Sequence, residues 1–415
     1  MQKAFTLVQQ KFDFIIPLGC LAHTLHLLCN DILKCKSAGT FMATVVDIVK
    51  TIKNTQVLNA LLEKIKSERN CNVSLKFPCK IRWGSYLQCL ESLLDCKDSH
   101  QILSFHGEAK ATLTKKMKTR LLDEAVFWVR VEQISNISKP IVSWITILES
   151  NDCNIHKVYK AFSEIENKLV DLLPQSSLSA SEESCILVKL KSRKANSIRT
   201  IHYAATLLDP STQGHFLTKE EQVDGMEFIH SLCVNMKADV VNVMKDLANY
   251  RSKEDLWGKK FIWISVETMN PVTWWRGLCG TTALSKVAVR ILTAPVTSTA
   301  TERSFSTFSW IHSKKRNRLT TSRAGKITYL SHNWKLMQKQ NSSQGQQDNQ
   351  RKYSKDVSLS EVPACSSSMQ VVHAENRSFK RKLSSSSSND EDETDSEACE
   401  EVTYVESDNE TSENE

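Results

Sequence analysis

The chain has 415 residues, 40% hydrophobic and 24% charged, a balance that permits a sizeable core and a length that suits two or three domains. No run of about 18 apolar residues occurs, so a membrane-spanning helix is excluded, and the first residues lack the basic stretch and small-residue cleavage site of a signal peptide. The net charge of +7 hides two opposite regions. Residues 390–415 hold 13 acidic and no basic side chains, leaving 54 basic against 34 acidic over residues 1–389, a net of +20. A body that basic is compatible with a polyanionic partner, which the acidic tail would screen.

In chain order, Ala4, Leu7, Val8 and Phe12 recur at helical spacing. Phe14 to Leu18 is apolar but broken by Pro17, so it predicts a short or edge strand. Leu21 to Leu33 returns to the helical period. Residues 40–170 predict helix nearly throughout. Phe41, Val45, Ile48, Val49 and Ile52 form one stripe, Leu58, Leu61, Leu62 and Ile65 the next, and Leu87, Leu90, Leu93 and Leu94 follow Trp83. Ala125 to Val131 and Ile141 to Leu148 predict two more helices, separated by Ser138 to Pro140, with Pro140 where a helix would begin. The Ser-rich residues 174–184 predict a loop. A helix resumes at Ile186, runs through Tyr203, Ala204 and Ala205, and ends before Pro210. Lys219 to Tyr250, Pro271 to Leu292, Glu302 to Ile311 and Ala324 to Leu336 are the remaining helical stretches. From Gln338 on, Gln, Ser, Asn and charge dominate, and this composition predicts disorder.

Five groups of residues invite a chemical reading. Cys20, His23, His26 and Cys29 are potential zinc ligands, but steps of three drift around a helix by about 60° each. They therefore do not make one four-ligand site, and Cys20 and His23 stand as metal candidates against a packing role. Arg82 and Trp83 pair a phosphate grip with a stacking ring, or else Trp83 anchors a helix. Ser298 to Ser306 offers a capping box in which Ser298 or Thr299 caps and Glu302 lies in the first turn; alternatively, Glu302 is a metal-binding carboxylate. Lys314, Lys315, Arg316 and Arg318 form a compact basic patch, which reads as a phosphate contact, a nuclear localisation signal or a solvated face. Lys380 to Lys382 is a short basic cluster, and Ser384 to Ser388 precedes acidic residues in the way acid-directed kinases favour. The thirteen cysteines include no CxxC pair and read as reduced thiols of a cytosolic or nuclear protein.

Taken together and in this order, these segments resemble the hAT superfamily of transposases and their domesticated relatives, over roughly residues 1–336. Met1 to Phe12 is similar to the segment after the family's Asp-Asn-Ala motif. Gly19 to Leu25 resembles its Cys-x-x-His element, although His26 stands where Asn is usual. Arg82 to Ser85 and Tyr203 to Pro210 resemble landmarks of the family's helical insertion. Pro271 to Trp275, Thr301 to Ser306 and Lys315 to Leu319 resemble its C-terminal dimerisation region, the most specific of these signals.

The resemblance implies a mainly α chain, with a helical insertion domain, a remnant of an RNase H-like α/β core lacking its first strands, and a disordered C-terminal tail. It divides the chain into that remnant at 1–35, the insertion at 36–256, the dimerisation region at 257–336 and the tail at 337–415. Glu302 falls on the family's third catalytic carboxylate. The two catalytic Asp would precede residue 1, as would a BED-type zinc finger, so the sequence is read as beginning inside folded sequence. Two-metal hydrolysis needs several carboxylates; with Glu302 alone, a vestigial site and no cofactor are expected, Mg²⁺ entering only with the missing N-terminal part. The expected role is non-catalytic: self-association into a homodimer or larger assembly, with Trp274, Trp275, Leu278, Leu284 and Phe305 at the contact. Weak DNA binding through Arg82, Trp83 and Lys314–Arg318 is a secondary expectation, in the nucleus, with no membrane and no small-molecule substrate. The alternative is a fragment of an active hAT transposase.

Overall fold

The computed structural model describes residues 2–12, 15–79, 83–110, 112–150, 152–313 and 318–353. Among these there are helices and turns but no strand, and no helix is long and apolar enough to cross a membrane. The chain divides into the unit Met1–Gln340 and the unit Asn341–Glu415. Of the second unit only the backbone of 341–353, the end of the last helix, is described.

Helices α1 (Gln2–Lys11), α2 (Leu21–Lys34), α3 (Lys36–Asn54) and α4 (Gln56–Glu68) come first. The strand expected at Phe14 to Leu18 is absent: residues 15–20 are irregular, and 13–14 lie outside the described residues. Pro17 has no N–H to give to a ladder, and no described strand exists to pair with. Leu21, Leu25, Leu28 and Ile32 of α2 and Val45, Ile48, Val49 and Ile52 of α3 are buried at the predicted spacing.

Next come α5 (Trp83–Asp95), α6 (Lys97–Phe105), α7 (Lys115–Leu121), α8 (Val129–Leu148) and α9 (Val158–Leu172). The break expected at Pro140 does not occur, because α8 runs continuously through it. A proline inside a helix costs about 3 kcal/mol. Burial of Ile134, Ile137, Ile141, Trp144, Ile145 and Leu148 along the same helix outweighs that loss.

Helix α10 (Ala180–Ser197) begins six residues before the expected Ile186. The Ser-rich stretch supplies its cap rather than a loop: the Ser179 hydroxyl accepts from Glu182 N, and the Glu182 carboxylate accepts from Ser179 N at 3.0 Å. Glu182 also accepts from Ser37 N at 2.8 Å, on the first turn of α3. Two backbone N–H donors on one carboxylate hold its pKa down, at about 2. The chain then breaks at Ile198 and Arg199 before α11 (Thr200–Leu207), where His202 Nδ1 accepts from Arg199 N at 2.9 Å.

Two helices, α12 (Lys219–Asn235) and α13 (Val240–Ser252), replace the single helix expected to Tyr250. Lys237, at φ 53°, turns the chain between them. The described chain closes with α14 (Lys260–Trp263), α15 (Pro271–Gly277), α16 (Ala283–Leu292), α17 (Thr299–Ile311) and α18 (Thr321–Tyr353). Disorder was expected from Gln338, yet α18 continues through Tyr353; Gln and Lys are good helix formers and extend a helix already nucleated. Residues 354–415 lie outside the described residues.

Candidate dimerisation surface

Trp257, Trp263, Trp274 and Trp275 come together with Tyr250 as a core. Tyr250 at the end of α13 meets Trp275 at 5.0 Å between ring centroids, Trp275 meets Trp274 at 5.1 Å, and Trp274 meets Trp263 at 5.6 Å. Three of the indoles have backbone acceptors: Trp275 Nε1 donates to Leu208 O at 2.7 Å, Trp274 Nε1 to Ile262 O at 2.9 Å and Trp263 Nε1 to Trp257 O at 2.7 Å. Ser285 Oγ donates to Trp275 O at 2.8 Å, and Asp246 accepts from Leu284 N at 3.1 Å.

This placement corrects the expectation that Trp274, Trp275 and Leu284 meet a partner. All three are 0% exposed within the chain itself. Leu278 is half-buried against the same core. The apolar area of Trp274, Trp275 and Leu284 is already removed from water within one chain, so none of it is left for a second copy to cover. Of the five expected contact residues only Phe305, 65% exposed, stands at the surface.

Two of the sequence elements singled out above meet at the entry to α17. Leu21 N donates to Val296 O at 2.9 Å, and Ser298 N to Cys20 Sγ at 3.4 Å. Arg303 Nη2 donates to the carbonyl of Glu149 at 2.6 Å, whose side chain lies 3.4 Å from His26 Nε2. The Cys20 element and the Glu302 element are thus 278 residues apart in sequence and joined in space. Their joint role here is to fix where α17 starts.

Ser298 is the residue before that helix but makes no side-chain cap to its backbone. Its hydroxyl instead donates to Glu302 Oε1 at 2.6 Å. Glu302 itself is exposed in the first turn, where a carboxylate suits the helix dipole. His23 is exposed and Cys29 buried, its thiol pushed up by burial. Among the described residues no three His, Cys, Asp or Glu side chains converge on a point where a metal would sit.

Beyond Val296 the packing changes. The main buried cluster ends there, and Ile311 of α17 and Ala324 of α18 are buried apart from it. Phe305 and Trp310 of α17 and Ile327, Tyr329, Leu330, Trp334 and Met337 of α18 are exposed. Ile327, Leu330, Trp334 and Met337 follow a 3-4-3 spacing, which places them within roughly 80° of arc on one helix face. Ala324 and Thr328, the buried residues of α18, lie roughly 120° around from that stripe. The stripe therefore faces away from the contacts α18 makes within its own chain.

The sequence reading missed this seam, although the spacing was there to be read. Arg318 is exposed beside α18. Lys314, Lys315, Arg316 and Arg82, and the side chain of Trp83, lie outside the described residues.

Comparison with known families places a match on this part of the chain: residues 246–334 fit the model described as the hAT family C-terminal dimerisation region. The match starts at Asp246 on α13, takes in the aromatic core and ends at Trp334 on the exposed seam. A search of curated proteins finds no match.

Proposed function

We propose that this chain, which carries the C-terminal dimerisation region of the hAT family, works by self-association, with the exposed faces of α17 and α18 as the contact. The observation that carries the reading is the apolar seam of α18 inside the matched region. Trp334 is 63% and Leu330 66% exposed on a helix with little burial of its own. A contiguous exposed apolar stripe marks an interaction site, and the 3-4-3 spacing is the pattern by which helices pair. Ser331, Asn333 and Gln338 flank the seam, with Lys326 beside its first residue.

On this reading the protein acts without cutting DNA. What supports that part is the engagement of the Glu302 carboxylate by the Ser298 hydroxyl. A contact with nucleic acid through the basic run ending at Arg318, and with it a nuclear location, belongs to the same proposal.

The test is the mass of the full chain by light scattering over a concentration series. The expected result is a dimer or larger assembly that Leu330→Glu or Trp334→Glu dissociates. Each substitution acts twice in a symmetric contact, so a rise in Kd of at least about 100-fold is expected. An unchanged mass in both variants, with folding intact, overturns the assignment of the seam.

A further inference from the structure

A cavity of about 430 Å³ lies far in sequence from the dimerisation region, between the start of α3, the end of α7 and the start of α8. Three cations line it: Lys36, Arg120 and Arg130. Among the described residues none of the three has a carboxylate within ion-pair distance. Lys36 is exposed, while Arg120 and Arg130 are half-buried. Unpaired guanidinium groups in a concavity focus positive potential there, since the low-dielectric walls screen it less than water does.

Arg130 is held in place before any ligand arrives. Its Nη2 donates to Ser37 O at 3.2 Å, and its guanidinium carbon lies 5.1 Å from the centre of the Phe41 ring. Its Nε is buried with no acceptor. Ser37 and Thr40 line the same wall on successive turns of α3, adding hydroxyls. One acidic side chain, Asp123, also lines the cavity, but its Oδ1 is occupied in capping Val126 N at 2.9 Å. Glu182, on the far side of Ser37, is likewise occupied by two backbone N–H groups.

We propose that this groove binds a phosphate group, with Arg120, Arg130 and Lys36 as its cationic contacts and the Ser37 and Thr40 hydroxyls as further donors. Planar, multi-donor guanidinium groups match the oxygens of a phosphate. Three cations with hydroxyls beside them suit a doubly charged tetrahedral anion with three or four acceptors better than a single carboxylate. The phosphate belongs either to a free nucleotide or to a nucleic-acid strand, and the experiment separates the two.

The full chain is titrated by calorimetry at low salt with inorganic phosphate, with adenosine monophosphate and with a six-nucleotide single strand. The parent protein is compared with Arg120→Gln, Lys36→Gln and the distant control Lys139→Gln. Phosphate and the mononucleotide are expected to bind, with affinity at least tenfold lower in Arg120→Gln and Lys36→Gln and unchanged in Lys139→Gln. Binding of the strand alone, weakened by the same two variants, supports the site with nucleic acid as the source. Lys36 is exposed at the first position of α3, so its replacement leaves the fold intact and carries the test if Arg120→Gln misfolds. Equal binding by parent and groove variants, or no binding of any of the three probes, overturns the proposal. So does preference of the groove for a peptide of residues 390–415 over phosphate.

Discussion

His100 is 0% exposed, and neither ring nitrogen has a hydrogen-bond partner. Burial, assisted by nearby Lys66, lowers its pKa to about 4. His202 is also pushed to about 4 by burial, although it keeps an acceptor role toward Arg199 N. Both are therefore neutral in the folded chain and near 6.5 when unfolded. Between pH 6.5 and 4 the unfolded state binds more protons, so stability present above 6.5 is lost as pH falls toward 4. Each site contributes on the order of 3 kcal/mol to that loss. Denaturation midpoints measured from pH 7 to 4 are expected to fall steeply. His100→Leu removes an unsatisfied imidazole at similar volume. It is expected to raise stability by about 1–2 kcal/mol at pH 7 and to flatten the pH dependence. The tryptophans give the opposite case: Trp274→Ala opens a cavity in a filled core and is expected to cost about 3–5 kcal/mol in chemical denaturation. Loss of assembly in that variant would follow from unfolding, which the midpoint would reveal. The sequence flagged Trp274 and Trp275 as important but not why. Large aromatics are common to cores and to interfaces alike, and only the path of Leu208, Ile262 and Tyr250 around them distinguishes the two.

At the level of single helices, the apolar stripes of α2 to α4 were legible because a 3.6-residue period with Ile, Leu and Val has one physical reading. Where the sequence misled, a local rule lost to packing or was read at the wrong register. Pro140 predicts a helix start, yet the buried face of α8 carries the helix across it. The serines before Ile186 predict a loop, yet Ser179 caps α10 and Glu182 ties that cap to the first turn of α3. A contact 145 residues apart leaves no mark on local periodicity. Glu182→Ala removes an acceptor from both helix N-termini and is expected to lower stability by about 1–2 kcal/mol, read by urea denaturation. Glu182→Gln, which keeps an acceptor, should lose less. The candidate surface was legible as a region but not as a face: Phe305 was named, whereas the stripe from Ile327 to Met337 became visible only once Ala324 and Thr328 were seen to occupy another side of α18.

Over the whole unit from Met1 to Gln340, residues near the two ends complete one another. The backbone of Leu21 is satisfied by Val296, and Cys20 receives the N–H of Ser298. Both Leu21 and Val296 belong to the main apolar cluster. A ribosome adds roughly 5–20 residues per second, so the N-terminal turn of α2 waits on the order of tens of seconds for a partner nearly 280 residues downstream. During that interval the growing polypeptide displays an unfinished apolar edge, and chaperone capture of nascent chains stalled before Val296 is the expected signature. Chains stalled beyond Ser298 and clear of the exit tunnel would escape it.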